Sequence, residues 1–338
     1  MRFPTYSVIS PVRDEAEHLA RTATSMLAQT HPPLEWIIVD DGSTDGTRAI
    51  ADAYASDHDW IRVVSARRTQ RRARGAPIVA AFEDGRAMLR ERPEVIVKLD
   101  GDLFLPSHYF AWVGATFARD PRAGIVGGVV WIFDGDRWRL DGRVTRNVNG
   151  VAKAYSTDCL DDIGGLRRSM GWDGIDEYSA RARGWNVRVL DELSILHYKP
   201  RGSKQPWHRA RWEEGLGNHY MGYDFRFLLL RAGYRMLAER PRVLGGIVLG
   251  AAFGYASLRS LPQVDDASAV RELRTEQRAR MRQLLPTRRR GTVRPAALPG
   301  GGPAFWLTAG PTAERTEPGD RPLSQSLSRP STPCGIRR

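Results

Sequence analysis

The sequence predicts an α/β chain built on a mostly parallel sheet flanked by helices, and three observations carry that prediction. Short apolar runs at Tyr6–Ser10, Trp36–Val39, Ile61–Val64 and Val95–Leu99 alternate with stretches of helical periodicity. Three polar clusters, Pro11–Glu15, Asp40–Asp45 and Asp100–Asp102, lie just past the ends of such runs. In open sheets of this kind, that edge is where ligands bind.

Each element follows in order. Tyr6–Ser10 is a buried strand, broken by Pro11–Asp14. Glu15–Gln29 is a helix with Leu19, Ala23, Met26 and Leu27 on one face. Trp36–Val39 is a second strand, and Thr44–Tyr54 a helix with Ser43 or Thr44 as its N-cap. Ile61–Val64 is a third strand. The basic loop Arg67–Gly75 leads to a helix at Ala76–Arg90. Val95–Leu99 is a fourth strand, Ser107–Ala118 a helix, and Ile125–Phe133 is β-rich around Gly127-Gly128. Trp172–Gly184 is a loop running into a helix. Val187–Leu190 and Ser194–Leu196 are short strands ending at His197, and Trp207–Arg240 is an aromatic-rich helical pair. These readings divide the chain at 1–200, a helical extension at 201–285 and a tail at 286–338.

The tail is rich in Pro, Gly, Ser, Thr and Arg with no periodicity, the composition of a disordered segment. The formal net charge is +12, and Arg259–Arg338, with fifteen Arg and seven acids, holds most of it. No organised nucleic-acid recognition motif accompanies that charge, so no nucleic-acid partner is expected. Cys159 and Cys334 are too few and too far apart for a disulfide framework. The N-terminus lacks a signal-peptide pattern. A cytoplasmic protein is expected, with the inner face of the plasma membrane as a second station. Val243–Leu258 is the most apolar run, yet it is short of the ~20 residues a span requires. An interfacial helix, a re-entrant helix and plain packing on the domain all fit it, so peripheral membrane association stays open.

Chemistry concentrates in a few clusters. Asp100-Gly101-Asp102 sets two carboxylates one residue apart at the end of a buried strand. They would repel each other unless a divalent cation sat between them and a diphosphate. Val39-Asp40-Asp41-Gly42-Ser43-Thr44-Asp45 runs a strand straight into two acids that can accept from base N–H and ribose O–H groups. An Asp-Gly turn with a Ser/Thr cap explains Ser43 or Thr44 but not the paired acids.

Ile9-Ser10-Pro11-Val12-Arg13-Asp14-Glu15, then Val39–Asp45, then Leu99–Asp102 resemble the successive motifs of family 2 glycosyltransferases. The resemblance covers about residues 5–200. It implies a GT-A fold, a Rossmann-like nucleotide-binding sheet joined to an acceptor-binding part. It implies that Pro11, Arg13, Glu15, Asp40 and Asp41 hold the nucleoside, with Lys98 a further nucleotide contact. Asp100 and Asp102 then bind the cofactor, Mn²⁺ or Mg²⁺, and the diphosphate. His197, ending a strand, can join them.

The fourth family motif is an acidic pair ahead of a helix. Here Trp172-Asp173 replaces the usual Glu-Asp, a departure from the family pattern, with Asp176-Glu177 three residues on and Gly184 closing the helix. Counting back from Gly184 matches Asp173 to the family's catalytic base; Asp176 and Glu177 remain alternatives, and Trp172 offers an apolar wall for a sugar ring.

The implied reaction is inverting transfer from a nucleotide-diphosphate sugar to a hydroxyl on a glycan or lipid-linked acceptor, in cell-envelope or exopolysaccharide synthesis. A metal-dependent nucleotidyltransferase is the rival enzyme, but Pro11–Glu15 lacks the Gly-rich phosphate loop it needs. A non-catalytic sugar-nucleotide-binding module is the other rival. The intact set of Asp100, Asp102 and Asp173 speaks against it.

Overall fold

The structure is a computed structural model that describes residues 2–67, 76–133, 137–141, 147–198, 206–238 and 243–284. The basic residues 68–72, Lys199 and Arg201 just past His197, and the tail from Pro286 lie outside the described residues.

The N-terminal half alternates strand and helix as β1 (Tyr6–Val12), α1 (Leu19–Leu27), β2 (Trp36–Asp40), α2 (Thr47–Asp57), β3 (Ile61–Ser65), α3 (Ala76–Arg86) and β4 (Val95–Leu99). The order β3-β2-β1-β4 is parallel throughout. Side chains alternate between the sheet's two faces. Val8, Trp36, Ile38 and Val97 face Leu19 and Met26 of α1. Ile9, Ile37, Val39 and Ile96 face Phe82 of α3. Both faces are covered, which is why these strands read as unbroken apolar runs.

Pro11 does not break β1. Pairing with β4 stops at Ile9, while pairing with β2 continues to Val12. At Pro11 the strand is locally an edge, where a missing N–H costs no ladder bond. Helix α1 starts at Leu19 and not at Glu15. The Glu15 N–H donates to Thr47 Oγ1 (2.7 Å) and the Ala16 N–H to Asp45 Oδ2 (3.1 Å), which ties this segment to its neighbour. Helix α2 starts after Gly46, which makes no side-chain cap, so neither Ser43 nor Thr44 is its N-cap. Both are engaged by Asp14 instead.

Beyond β4 come β5 (Leu103–Phe104), α4 (Tyr109–Arg119), β6 (Ala123–Phe133), β7 (Trp138–Leu140), β8 (Ala152–Ser156), α5 (Thr157–Asp162), α6 (Trp172–Ala182) and β9 (Asn186–His197). The sheet becomes mixed here. β8 inserts antiparallel between β4 and β6, β9 runs parallel to β6, and β5 pairs antiparallel with the end of β9. The two short strands expected near 187–196 are one strand with a bulge. A register shift falls between Gly128 and Val129 of β6, and a Cβ on Gly128 would lie 2.3 Å from the Leu193 oxygen. The helix expected late in Trp172–Gly184 begins at Trp172, after Gly171 at φ +81°.

The chain continues as α7 (Trp207–Tyr220), α8 (Phe225–Ala238), α9 (Leu244–Leu258) and α10 (Ala267–Leu284). α9 packs against α7 and α8, and α10 packs against α6. The α10 contact is pinned by Asp266, which accepts from Ser179 Oγ (2.9 Å) and Arg183 Nη1 (2.8 Å). Burial pushes the Asp266 carboxyl up, but hydrogen bonds from Ser268, Ala269, Arg183 and Ser179 outweigh it and hold the group well below the usual carboxylate range. Among the described residues no helix is long and apolar enough to cross a membrane.

Close packing of α3 on the sheet gives a stability test. A Cβ on Gly85 would sit 2.6 Å from Ile9 Cγ2 and 2.8 Å from Val39 Cγ2, both branched methyls with no room to swing away. Alanine gains at most ~1 kcal/mol of helix propensity, whereas overpacking costs ~1–3 kcal/mol. Gly85→Ala is expected to lower the urea midpoint; a raised midpoint would show that α3 lifts off the sheet without cost.

Candidate active site

Three loops meet at the carboxyl edge of β1, β2 and β4. The first two clasp each other. The Asp14 N–H donates to Ser43 Oγ (3.1 Å), and Asp14 Oδ1 accepts from the Thr44 N–H (2.8 Å). These bonds hold Asp14 at φ +52°, a conformation costly for a residue with a side chain. The Thr44 N–H also holds the Asp14 carboxyl below its usual range. Asp40 is buried and its Oδ1 accepts from the Ser43 N–H (3.0 Å). Asp41 is half-buried, with Arg13 Nη1 3.8 Å from its Oδ2. Burial raises the Asp41 carboxyl despite that neighbour.

The Asp100–Asp102 turn packs onto the first loop. A Cβ on Gly101 would lie 2.8 Å from Val12 Cγ1 and 3.6 Å from Glu15 Cγ, so only glycine lets the turn approach. Thr22 of α1 pins it from below, its Oγ1 within hydrogen-bond distance of the Gly101 and Leu103 oxygens (2.9 and 2.8 Å). The β5–β9 pairing sets His197 opposite Leu103, which brings its Nε2 to 3.1 Å from Asp102 Oδ2. Pro11, Arg13, Glu15, Asp40, Asp41, Asp100, Asp102 and His197 thus gather at one edge.

Lys98 does not open onto that edge as a free nucleotide contact. Its side chain is buried; its Nζ donates to Asp100 Oδ1 and to the Gly150 oxygen (2.8 Å). Burial and the repulsion of Asp102 raise the Asp100 carboxyl, and Lys98 opposes the shift. Across the β4–β8 ladder, Lys98 stands directly opposite Lys153, which is also fully buried. Like charges placed so destabilise a sheet unless they are answered. Lys153 is answered by Asp176 (3.0 Å) and Glu177 (2.9 Å), and Tyr155 OH donates to Asp176 Oδ2 (2.6 Å). Burial lowers the Lys153 ammonium, but Asp176, Glu177 and Asp173 outweigh it and the group stays charged. Burial pushes Glu177 up to about 7. The Trp172 ring lies 5.5 Å from Lys98 Nζ and 5.9 Å from Lys153 Nζ. Trp172 is therefore a buried partner of two cations and not the open apolar wall expected for a sugar.

Of the three candidate bases, Asp176 and Glu177 are spent in this buried network. Asp173, in the first turn of α6, packs on Gly150, where a Cβ would lie 3.0 Å from Asp173 Cβ. Lys153 Nζ also donates to its main-chain oxygen. Asp173 is among the residues that line a cleft of about 540 Å³, with Asn147, Asn149, Tyr178, Tyr223 and Arg231. The turn that carries Gly150 also accepts the Asp100 N–H on the Val151 oxygen (2.8 Å), so cleft and carboxylate edge share a wall.

The resemblance implies a divalent cation here. Two carboxylates one residue apart suit Mg²⁺ or Mn²⁺, which complete their shells with phosphate oxygens and water. His197 adds a buried Nδ1 that has no hydrogen-bond partner among the described residues. No three His, Cys, Asp or Glu side chains form a ready cage among those residues. The set fits as a partial site that a diphosphate would complete.

Residues 7–162 match the family model described as Glycosyl transferase family 2. Over those residues the chain matches a family 2 glycosyltransferase domain. TuaG of Bacillus subtilis, named for teichuronic acid biosynthesis, is 46% identical over 61 residues, 18% of this chain and 24% of that protein. Polyprenol monophosphomannose synthase of Mycolicibacterium smegmatis is 36% identical over 96 residues, 28% and 34% of the two chains. The matches thus span a quarter to a third of these relatives' length.

Among solved structures, the mannosyltransferase PcManGT of Pyrobaculum calidifontis, held with GDP-Man and Mn²⁺, aligns at TM-score 0.50 and 19% identity over 83% of this chain and 84% of that one. S. aureus TarS residues 1–349 with UDP-GlcNAc aligns at 0.52 and 16% over 82% and 92%. At these identities the likeness is one of fold, and the fold is GT-A.

The glycosyltransferase motifs were legible in the sequence; Lys153, Tyr155 and Gly150 were not. Lysine among apolar residues at Val151–Tyr155 was the one available signal, since the chain has only four lysines.

The buried network makes a second test. Removing one partner of a buried ion pair costs ~3–5 kcal/mol. Lys153→Met is expected to lose about that much, with the loss growing from about pH 6 to about pH 9 as the abandoned carboxyls are forced to ionise. Denaturant titration at both ends of that range checks it; a pH-independent loss below about 1 kcal/mol would contradict the pairing.

Proposed function

We propose that the chain transfers a sugar, with inversion, from a nucleotide-diphosphate sugar to an acceptor hydroxyl. The observation that carries this reading is that Asp173 alone of the three candidate acids lines the cleft, and the cleft shares a wall with the Asp100–Asp102 turn. The family match over residues 7–162 and the sugar nucleotides held by two proteins of the same fold support the donor class.

Pro11, Arg13, Glu15, Asp40 and Asp41 hold the nucleoside, with Asp40 and Asp41 accepting from base or ribose donors. Asp100, Asp102 and His197 are the residues that would hold Mn²⁺ or Mg²⁺. When bound, that cation neutralises charge on the departing diphosphate. Lys98 keeps Asp100 in place rather than touching the nucleotide. Asp173 takes the proton of the acceptor hydroxyl. The acceptor oxygen forms a bond to the anomeric carbon from the face opposite the breaking bond to the diphosphate, and one such displacement inverts that centre. Asn147, Asn149, Tyr178 and Arg231 offer the cleft's polar contacts to the acceptor, a glycan or lipid-linked sugar. The names of TuaG and of the polyprenol enzyme favour a role in cell-envelope glycan synthesis.

General-base help is worth ~10²–10⁴-fold in rate. Asp173→Asn is expected to cut turnover by that order, measured as nucleoside diphosphate release with Mn²⁺ present. Donor affinity by calorimetry should stay near wild type, because a base acts mainly in the transition state. Normal turnover in Asp173→Asn alongside a folded but dead Glu177→Gln would move the base into the buried pair and overturn this assignment.

A further inference from the structure

Helices α8 and α9 are apolar on the side turned away from the protein. On α9, Leu244, Ile247, Tyr255 and Leu258 are exposed and recur at helical spacing, and Leu258 is 88% exposed. The opposite side, Gly246, Leu249 and Phe253, is buried against α7 and α8. On α8, Phe225, Leu229, Leu230, Tyr234 and Leu237 are exposed, Leu237 by 80%, while Leu228 and Ala232 face the core. The notable point is orientation. An ordinary surface helix turns charge outward, whereas here the run Leu244–Leu258 contains no charged residue and α8 no acid.

We propose that this face docks on the surface of an anionic lipid bilayer, with α9 lying in the headgroup plane. Three observations favour a bilayer over other occupants. The first is charge. The exposed Arg226 of α8 and Arg259 just after α9 border the apolar residues, and neither helix carries an acid to answer them. In a two-fold contact between copies, the same basic, acid-free surface would meet itself. A bilayer with anionic headgroups over an apolar interior complements both features. The second is chemistry at the rim. Trp212 of α7 and Tyr255 are both exposed, with rings 5.7 Å apart, and Tyr234 adds a third amphipathic ring; such rings settle at headgroup level. The third is length. α9 has 15 residues, about 22 Å of helix, against a hydrocarbon core of ~30 Å. It lies on a membrane; it does not cross one.

Docking has a consequence for the cleft. Arg231 follows the exposed Leu230 on α8 and lines the cleft that holds Asp173. Its guanidinium is fixed by Glu214 (2.9 Å) and Tyr223 OH (3.2 Å). A docked α8 would bring that side of the cleft to the headgroup layer.

The test measures binding without any sugar nucleotide, so it is independent of the catalytic reading. Full-length protein is floated with vesicles of phosphatidylcholine alone or with phosphatidylglycerol added. Leu237, Ile247 and Leu258 are replaced together by Glu; all three are exposed, and an unchanged melting temperature establishes that the variant folds. The expected result is flotation of the wild type with phosphatidylglycerol vesicles and at least a tenfold loss in the variant. Equal flotation of the two proteins would assign binding to the basic tail and overturn the proposal. So would absence of wild-type flotation, or a dimer in light scattering that the substitutions dissociate.

Discussion

Two lysines facing each other inside a sheet are the arrangement on which the rest of this structure depends. Lys98 and Lys153 are cross-strand partners on β4 and β8, both buried, and neither could stay charged there alone. Each is answered from a different direction. Asp100 comes from the end of β4, and Asp176 and Glu177 come from α6. The Trp172 ring fills the space beside both cations. Charge balance thereby ties the carboxylate edge of the parallel half-sheet to the helix that lines the cleft.

That tie separates acids that look alike in sequence. Asp176 and Glu177 are consumed by Lys153, Tyr155 and Arg181, so they tie α6 to β8. Asp173, one turn earlier, is left lining the cleft. At the other end, Lys98 takes one oxygen of Asp100, and Asp102 faces His197. Of the acids proposed to meet the donor and the acceptor, Asp100 shares its carboxylate with Lys98, whereas Asp102 and Asp173 lie outside the lysine pairs.

The parallel half of the fold was legible because its physics is local. Apolar runs covered on both faces, followed at once by acids, read as strands ending at a binding edge. What escaped were features set by neighbours. Pro11 continues β1 because β4 has already left its side. Helix α2 forgoes a Ser43 or Thr44 cap because Asp14 claims both residues. β8 carries a lysine where an apolar strand would not, so it gave no periodic signal. Trp172 read as a surface ring because its two lysines are remote in sequence. The motif acids were readable; the cations that sort them were not.

The most direct test of this account is a crystal structure of the full chain with Mn²⁺ and an intact or non-hydrolysable nucleotide-diphosphate sugar. The account predicts the diphosphate beside Asp100 and Asp102, and the anomeric carbon turned toward the cleft with the Asp173 carboxylate on its far face. Lys98 and Lys153 should keep their carboxylate partners. A sugar turned away from Asp173, or a diphosphate bound elsewhere than at the Asp100–Asp102 turn, would contradict it.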